Sequence, residues 1–274
     1  VIATLIEPSA PASVVLGGES AGGLGSVGQY NRVRALLPGV AVTLSSDSSW
    51  FTFLDQTADL QAAYALWNAS LDPACVSGQA AAPYRCVLAP VLVDYLEGPA
   101  LFVLPAYDVY NAFGTVDATT IELNASTTRM LTASGGSLRT SVFEAAALSP
   151  AAANLSFFVP ACAWHVLMRP LANSGLIYDR YPDSLTVYTT VSVADVVLNA
   201  AMAEWVAAPA TPILYYDAVE DVSAYNPNCP TLPLVPAEVT LVMSTAFVLI
   251  PVLMILFGFI AYGWCVRDNA RKTK

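Results

Sequence analysis

The chain has 274 residues, is 56% hydrophobic and carries 11 Lys+Arg against 21 Asp+Glu, a formal net charge of −10. That length suits one large domain or two small ones. So acidic a chain is poorly suited to the phosphate backbone of nucleic acid, and no nucleic-acid partner is expected.

The first element is an apolar, β-branched run, Val14–Leu16, which predicts a strand. It climbs into Gly18-Glu19-Ser20-Ala21-Gly22, and beyond it Val27, Tyr30, Val33 and Leu37 fall near helical spacing. Strand, tight G-x-S-x-G turn and helix together describe a nucleophile elbow. A serine hydroxyl attacks a carbonyl only when it stands clear of the backbone with a base beside it. Ser20 is therefore the candidate nucleophile, and the backbone N–H of Ala21 a candidate oxyanion donor. The plain alternative is a small residue in a glycine-rich bend.

Strand-like runs follow at Val40–Leu44, Leu101–Leu104, Leu155–Val159 and Ile213–Tyr216. Helical stretches separate them at Thr57–Trp67, Val87–Leu96, Ser137–Ala147 and Ser192–Trp205. The alternation predicts an α/β fold, a parallel sheet with helices on both faces. Residues 206–238 are proline-rich and read as the end of the domain, near residue 230, followed by a stalk over 231–238. Val239–Val266 is a 28-residue run without charge, long enough for a transmembrane helix. Arg267, Arg271, Lys272 and Lys274 follow it against one acid, Asp268. The positive-inside rule makes this tail cytoplasmic and the preceding domain lumenal or extracellular, a single-pass type I topology.

Residues 1–266 hold seven of the bases, all arginine, and twenty of the acids, a net −13. Four of the five cysteines (Cys75, Cys86, Cys162, Cys229) precede the apolar run, as two disulfides in an oxidising compartment require. Cys75 and Cys86 close a short loop, which leaves Cys162 for Cys229. Three glycosylation sequons, at Asn68, Asn124 and Asn154, lie on the same side. Residues 1–13 lack the pattern of a signal peptide, so a lumenal start implies a cleaved or truncated chain.

A serine nucleophile needs a base with a pKa near neutral. The chain has one histidine, His165, in the segment after Leu155–Val159. The acid that orients it belongs just past a strand. Asp108 stands four residues beyond Leu104, and Asp47, in LSSDSSWF, is its rival. A helix N-cap is the plain reading of Asp108. Trp50, Tyr107 and Trp164 are candidates for a substrate pocket, or for core; Phe51 is assigned to core.

These segments together resemble the pectin acetylesterase/Notum family. LGGESAGGLGSVGQYNRVRALLP is similar to its nucleophile region, with the S-A-G-G core. LSSDSSWFTF resembles its S-D-S-G-W-F segment, with Ser49 in place of glycine. PYRCVLAPVLVDYLEGPALFVLPAYDVYNAF is similar to its cysteine-bearing helix, strand and acid loop, FFVPACAWHVLM to its histidine segment, and NPNCP to a late cysteine motif. The resemblance spans roughly residues 1–230. It implies an α/β-hydrolase-type carboxylesterase with Ser20, Asp108 and His165 as triad, no cofactor and no metal. Its substrate would be an acylated polysaccharide or an acylated protein. Family members supply a second oxyanion donor from a Gly-Gly-Trp-type loop well upstream. Only 19 residues precede Ser20 here, which suggests that the first strands are missing. Glu19 stands where members often have Cys or Ser, and the family is secreted rather than anchored. The alternative is a non-catalytic lumenal binding or structural relative.

Overall fold

Five apolar runs become five parallel strands paired in chain order. The computed structural model describes residues 13–52, 58–67, 70–114, 124–163, 165, 167, 191–217 and 229. Two units divide after Thr231, and all the described residues belong to the first. The strands are β1 (Ser13–Glu19), β2 (Ala41–Asp47), β3 (Ala100–Val103), β4 (Leu155–Val159) and β7 (Leu214–Tyr216), in the order β1-β2-β3-β4-β7. Every residue of β3 and β4 is buried, as is β2 after its first residue, whereas β1 alternates between exposed and half-buried. Parallel strands need such continuous apolar runs. Successive residues of a strand point to opposite faces, so the complete burial of β3 and β4 means that both faces of these central strands are covered.

Register sets the site. Glu19 pairs with Asp47, Asp47 with Val103, and Val103 with Phe158, so four strands reach one row together. The segments carrying Ser20, Asp108 and His165 leave the sheet beyond that row, at the carboxyl edge where open parallel sheets bind ligands.

Helix α1 (Ser20–Leu36) packs on β1 and β2, with Val27 and Tyr30 buried. The Tyr30 hydroxyl lies 2.9 Å from Val42 O and 3.0 Å from Pro99 O, locking the helix to the strands beneath it. Burial pushes its pKa up to about 12, against the lowering effect of Arg34. A Cβ on Gly23 would stand 2.8 Å from both Ser46 Oγ and Ser49 Cβ, so only glycine lets α1 approach the end of β2 this closely.

The helix over Thr57–Trp67 is α2 (Ala58–Trp67), and α3 (Pro73–Gly78) is capped by Asp72. The helix predicted over Val87–Leu96 breaks into a 3-10 turn at Pro83–Val87, α4 (Ala89–Leu92) and a second turn at Val93–Tyr95. Pro90, inside the predicted stretch, lacks the N–H that a ladder continuing from Pro83–Val87 would require. After α5 (Val109–Phe113) comes α6, which runs the full Ala125–Leu148 and starts at a capping box on Asn124. Its buried face is Leu131, Gly135, Leu138, Val142 and Ala145. The stretch predicted as helix over Ser192–Trp205 opens instead as a ribbon, β5 (Ser192–Val193) against β6 (Val196–Val197). Ala194 and Asp195 both have positive φ, the conformation of a tight hairpin turn. Helix α7 then covers Leu198–Ala207.

Disulfides join Cys75 to Cys86 and Cys162 to Cys229, with Cα separations of 5.9 and 5.7 Å. Asn68, Trp164, the 231–238 stalk, the 239–266 run and the basic tail lie outside the described residues. No helix among the described residues is long and apolar enough to cross a membrane.

Candidate active site

Ser20 is the first residue of α1 and follows directly on β1. Its φ is 52°, in the left-handed region that disfavours residues with a Cβ. The turn is tight enough that a Cβ on Gly18 would collide with the Gly22 carbonyl and stand 2.6 Å from Ser26 Oγ. A Cβ on Gly22 would meet nothing within 4 Å, so of the two motif glycines only the first is required sterically. Ala21 is the second helical residue and exposed. Its N–H is one of the first-turn donors that no carbonyl within a helix can reach.

Asp108 and His165 meet because the loops after β3 and β4 continue the pairing of the strands. Ala106 N donates to Pro160 O at 2.8 Å, Tyr107 N to Cys162 O at 2.9 Å and Val109 N to Ala163 O at 3.2 Å. This zipper brings His165 Nδ1 to 2.9 and 3.0 Å from the two Asp108 carboxylate oxygens. On the other side of the ring, Nε2 lies 2.7 Å from Ser20 Oγ. The side chains of His165 and Asp108 are 3% and 1% exposed, so their mutual contact is shielded from water. An ionised Asp108 accepts the Nδ1 proton and leaves Nε2 as the acceptor facing Ser20.

Asp108 is also an N-cap, accepting the Tyr110 N–H at 2.8 Å at the head of α5. The cap and the contact with His165 therefore share one carboxylate. Burial pushes its pKa above the ordinary carboxylate value, and the His165 hydrogen bond works in the opposite direction. The rival acid, Asp47, is fully buried at the end of β2 and serves a different group. Its Oδ1 accepts from Ser48 Oγ at 2.8 Å and its Oδ2 from the backbone N–H of Leu167 at 2.6 Å.

The pocket assignments of Trp50 and Tyr107 need correction. Trp50 and Tyr107 have no exposure and belong to the core. Trp50 packs edge-on against Phe102 and Phe157, and its indole N–H donates to Ser141 Oγ at 2.9 Å. Phe51, assigned to core from the sequence, is indeed buried; its ring also lies near-parallel to the His165 ring at 6.2 Å, while Tyr110 sits at 4.9 Å. A cavity of about 800 Å³ opens beyond Phe51 and Thr52, with Arg85, Leu88, Ser141 and Glu144 among its walls. Tyr110 was not found from the sequence; its only signal is its place two residues past Asp108. Among the described residues no cluster of His, Cys, Asp and Glu could hold a metal ion.

The fold is similar to two crystal structures of the Wnt deacylase Notum from Drosophila. Crystal form I gives a TM-score of 0.59 at 22% identity, covering 80% of this chain and 60% of that one. Crystal form II gives 0.62 at 20%, covering 84% and 63%. The chain thus spans about three-fifths of the length of these relatives, and identity this low makes the likeness one of fold. No curated protein matches the sequence. Kinship is carried instead by a family-wide match that runs from residue 8, before β1, to residue 208, just after α7, and on it this chain belongs to the pectinacetylesterase family.

Proposed function

We propose that the protein is a serine carboxylesterase that hydrolyses O-acyl esters. The observation that carries this reading is the unbroken relay from Ser20 Oγ through His165 to Asp108. Ser20 Oγ attacks the ester carbonyl carbon while His165 Nε2 takes its proton. The carbonyl oxygen becomes an oxyanion, to which the Ala21 N–H is a fitting donor. The tetrahedral intermediate collapses, the alcohol oxygen leaves with the proton returned by His165, and Ser20 keeps the acyl group. Water, deprotonated by the same nitrogen, then attacks the acyl-enzyme and releases the carboxylic acid. Asp108 fixes the tautomer throughout and stabilises the imidazolium.

The acyl or alcohol portion of the substrate would occupy the cavity beyond Phe51. The family name points to acetyl esters of a polysaccharide, and the Notum structures to an acylated protein. In the same reading residues 1–230 form the lumenal catalytic domain on a 231–238 stalk. Residues 239–266 anchor it in the membrane of the secretory pathway or cell surface, and 267–274 are the cytoplasmic tail. Asn124 suits a glycan: it is exposed, and its cap uses only Oδ1, leaving the amide nitrogen free of that role. Asn154 is half-buried and Asn68 completes the set.

The test is covalent. An alkyl fluorophosphonate should label the wild-type chain at Ser20 and leave Ser20→Ala unlabelled. Hydrolysis of a 4-nitrophenyl ester should fall by about 10⁴-fold or more in that variant. Equal hydrolysis by the two proteins would overturn the assignment. Acetylated polysaccharide and O-acylserine peptides, assayed side by side, separate the two substrate classes.

A further inference from the structure

Asp47 is a carboxylate with no exposure, and its role is not that of the triad acid. A buried charge is retained only where hydrogen bonds compensate it. The compensation here includes a group 120 residues away in sequence, the Leu167 N–H at 2.6 Å. Leu167 lies two residues after His165. On the other side, two residues before His165, Ala163 O accepts the Val109 N–H. The backbone carrying the imidazole is thus pinned at both flanks, once by the acid loop and once by Asp47. Asp47 itself pairs in the sheet with Glu19, the residue before the nucleophile. One carboxylate therefore ties the strand beside the serine turn to the chain that carries its base.

We infer that Asp47 is a positioning residue: its hydrogen bond to the Leu167 N–H holds the His165 segment so that Nε2 faces Ser20 Oγ. The Ser20–His165 contact is a single hydrogen bond between segments from different strands. Sub-ångström drift of the histidine segment would break it without unfolding the sheet. The kinetic part of this inference rests on the esterase reading above; the geometric part does not.

His165 is the only histidine in the chain, so imidazole-¹⁵N labelling reports on this ring alone. The full chain should show one downfield Nδ1–H signal from the Asp108 hydrogen bond. In Asp47→Ala that signal should broaden or split, and kcat on a 4-nitrophenyl ester, per phosphonate-titrated site, should fall at least about 30-fold with KM within about twofold. Asp47→Asn keeps an oxygen acceptor and should lie between the two. A second variant leaves Asp47 untouched: replacing Leu167 by its α-hydroxy acid removes the N–H and keeps the side chain. It should reproduce the loss, and adding Asp47→Ala to it should cost little more. A wild-type signal and kcat in the α-hydroxy acid variant would overturn the inference, even if Asp47→Ala fails to fold. If the wild-type chain shows no Ser20-dependent hydrolysis, the esterase reading fails, and the ring signal still decides whether Asp47 positions His165.

Discussion

Ser20 is held in a conformation that a side chain disfavours, and glycine would occupy it at no steric cost. A residue forced into the left-handed region costs of order 1–3 kcal/mol, offset in a glycine variant by lost chain entropy. Ser20→Gly should therefore exceed Ser20→Ala in stability by about 1 kcal/mol, though the proposed mechanism expects both to be inactive; urea unfolding of the two variants checks this. Asp108 shows the same opposition between stability and chemistry. Its raised pKa means the folded chain holds this proton to a higher pH than the unfolded chain does. Its contribution to stability is thus fullest below the unfolded pKa and is lost as pH rises through the folded one. Catalysis needs the ionised form. Asp108→Asn should lower kcat by about 10³–10⁴-fold. Its melting temperature at neutral pH should equal or exceed that of wild type, with the difference shrinking or reversing on acidification. A loss of several degrees at neutral pH would contradict the burial penalty.

Between elements, what matters is how the segments after β3 and β4 are held. Three backbone hydrogen bonds zip them together, and the Ala161 N–H donates to Asp217 Oδ2 at 2.9 Å at the end of β7. The Cys162–Cys229 disulfide adds a covalent tie three residues before His165. A bridge that closes a loop of 67 residues constrains the unfolded chain by about 4 kcal/mol in the loop-entropy picture. Cys75–Cys86, at a separation of 11, is worth about 3 kcal/mol on the same basis and sits away from the base. Replacing Cys162 and Cys229 by Ala should lower both melting temperature and kcat. Replacing Cys75 and Cys86 should lower melting temperature with a smaller effect on kcat. Melting curves and initial rates on the two double variants distinguish the roles.

For the whole molecule, net charge makes a prediction about substrate. With −13 on residues 1–266, the protein repels a polyanion. Salt screens such repulsion within about 10 Å at 0.1 M. If de-esterified, acidic stretches of polysaccharide flank the scissile acetyl, kcat/KM should rise with ionic strength. On a neutral ester it should stay level. The proposed anchor gives a second prediction: the full chain should sediment with membranes and resist carbonate, while a chain ended at Thr231 should not. Recovery of both forms in the soluble fraction would remove the anchor from the reading.

Sequence by itself determined the five strands and their parallel pairing class, because burial on both faces demands short continuous apolar runs that can be read locally. It also supplied the serine turn, the sole histidine and four cysteines in the same 231-residue unit. The helix over Val87–Leu96 and the ribbon at Ser192–Val197 were misread, since prolines and paired positive-φ residues overrule apolar spacing. The sequence preferred Asp108 to Asp47 as the acid after the later strand, and only the tertiary structure shows that Asp108 faces His165 while Asp47 accepts from Leu167 N–H. Both follow strands, and the choice depends on β3 and β4 being neighbours whose loops zip together. It alone buried Trp50 and Tyr107 and set Phe51 against the His165 ring, outcomes fixed by which side chains meet the core. The contact between Ser20 and His165 spans 145 residues of sequence, and its length is fixed by sheet register and loop tethers. Such long-range geometry is written in no local pattern, because it arises only when distant strands share one row.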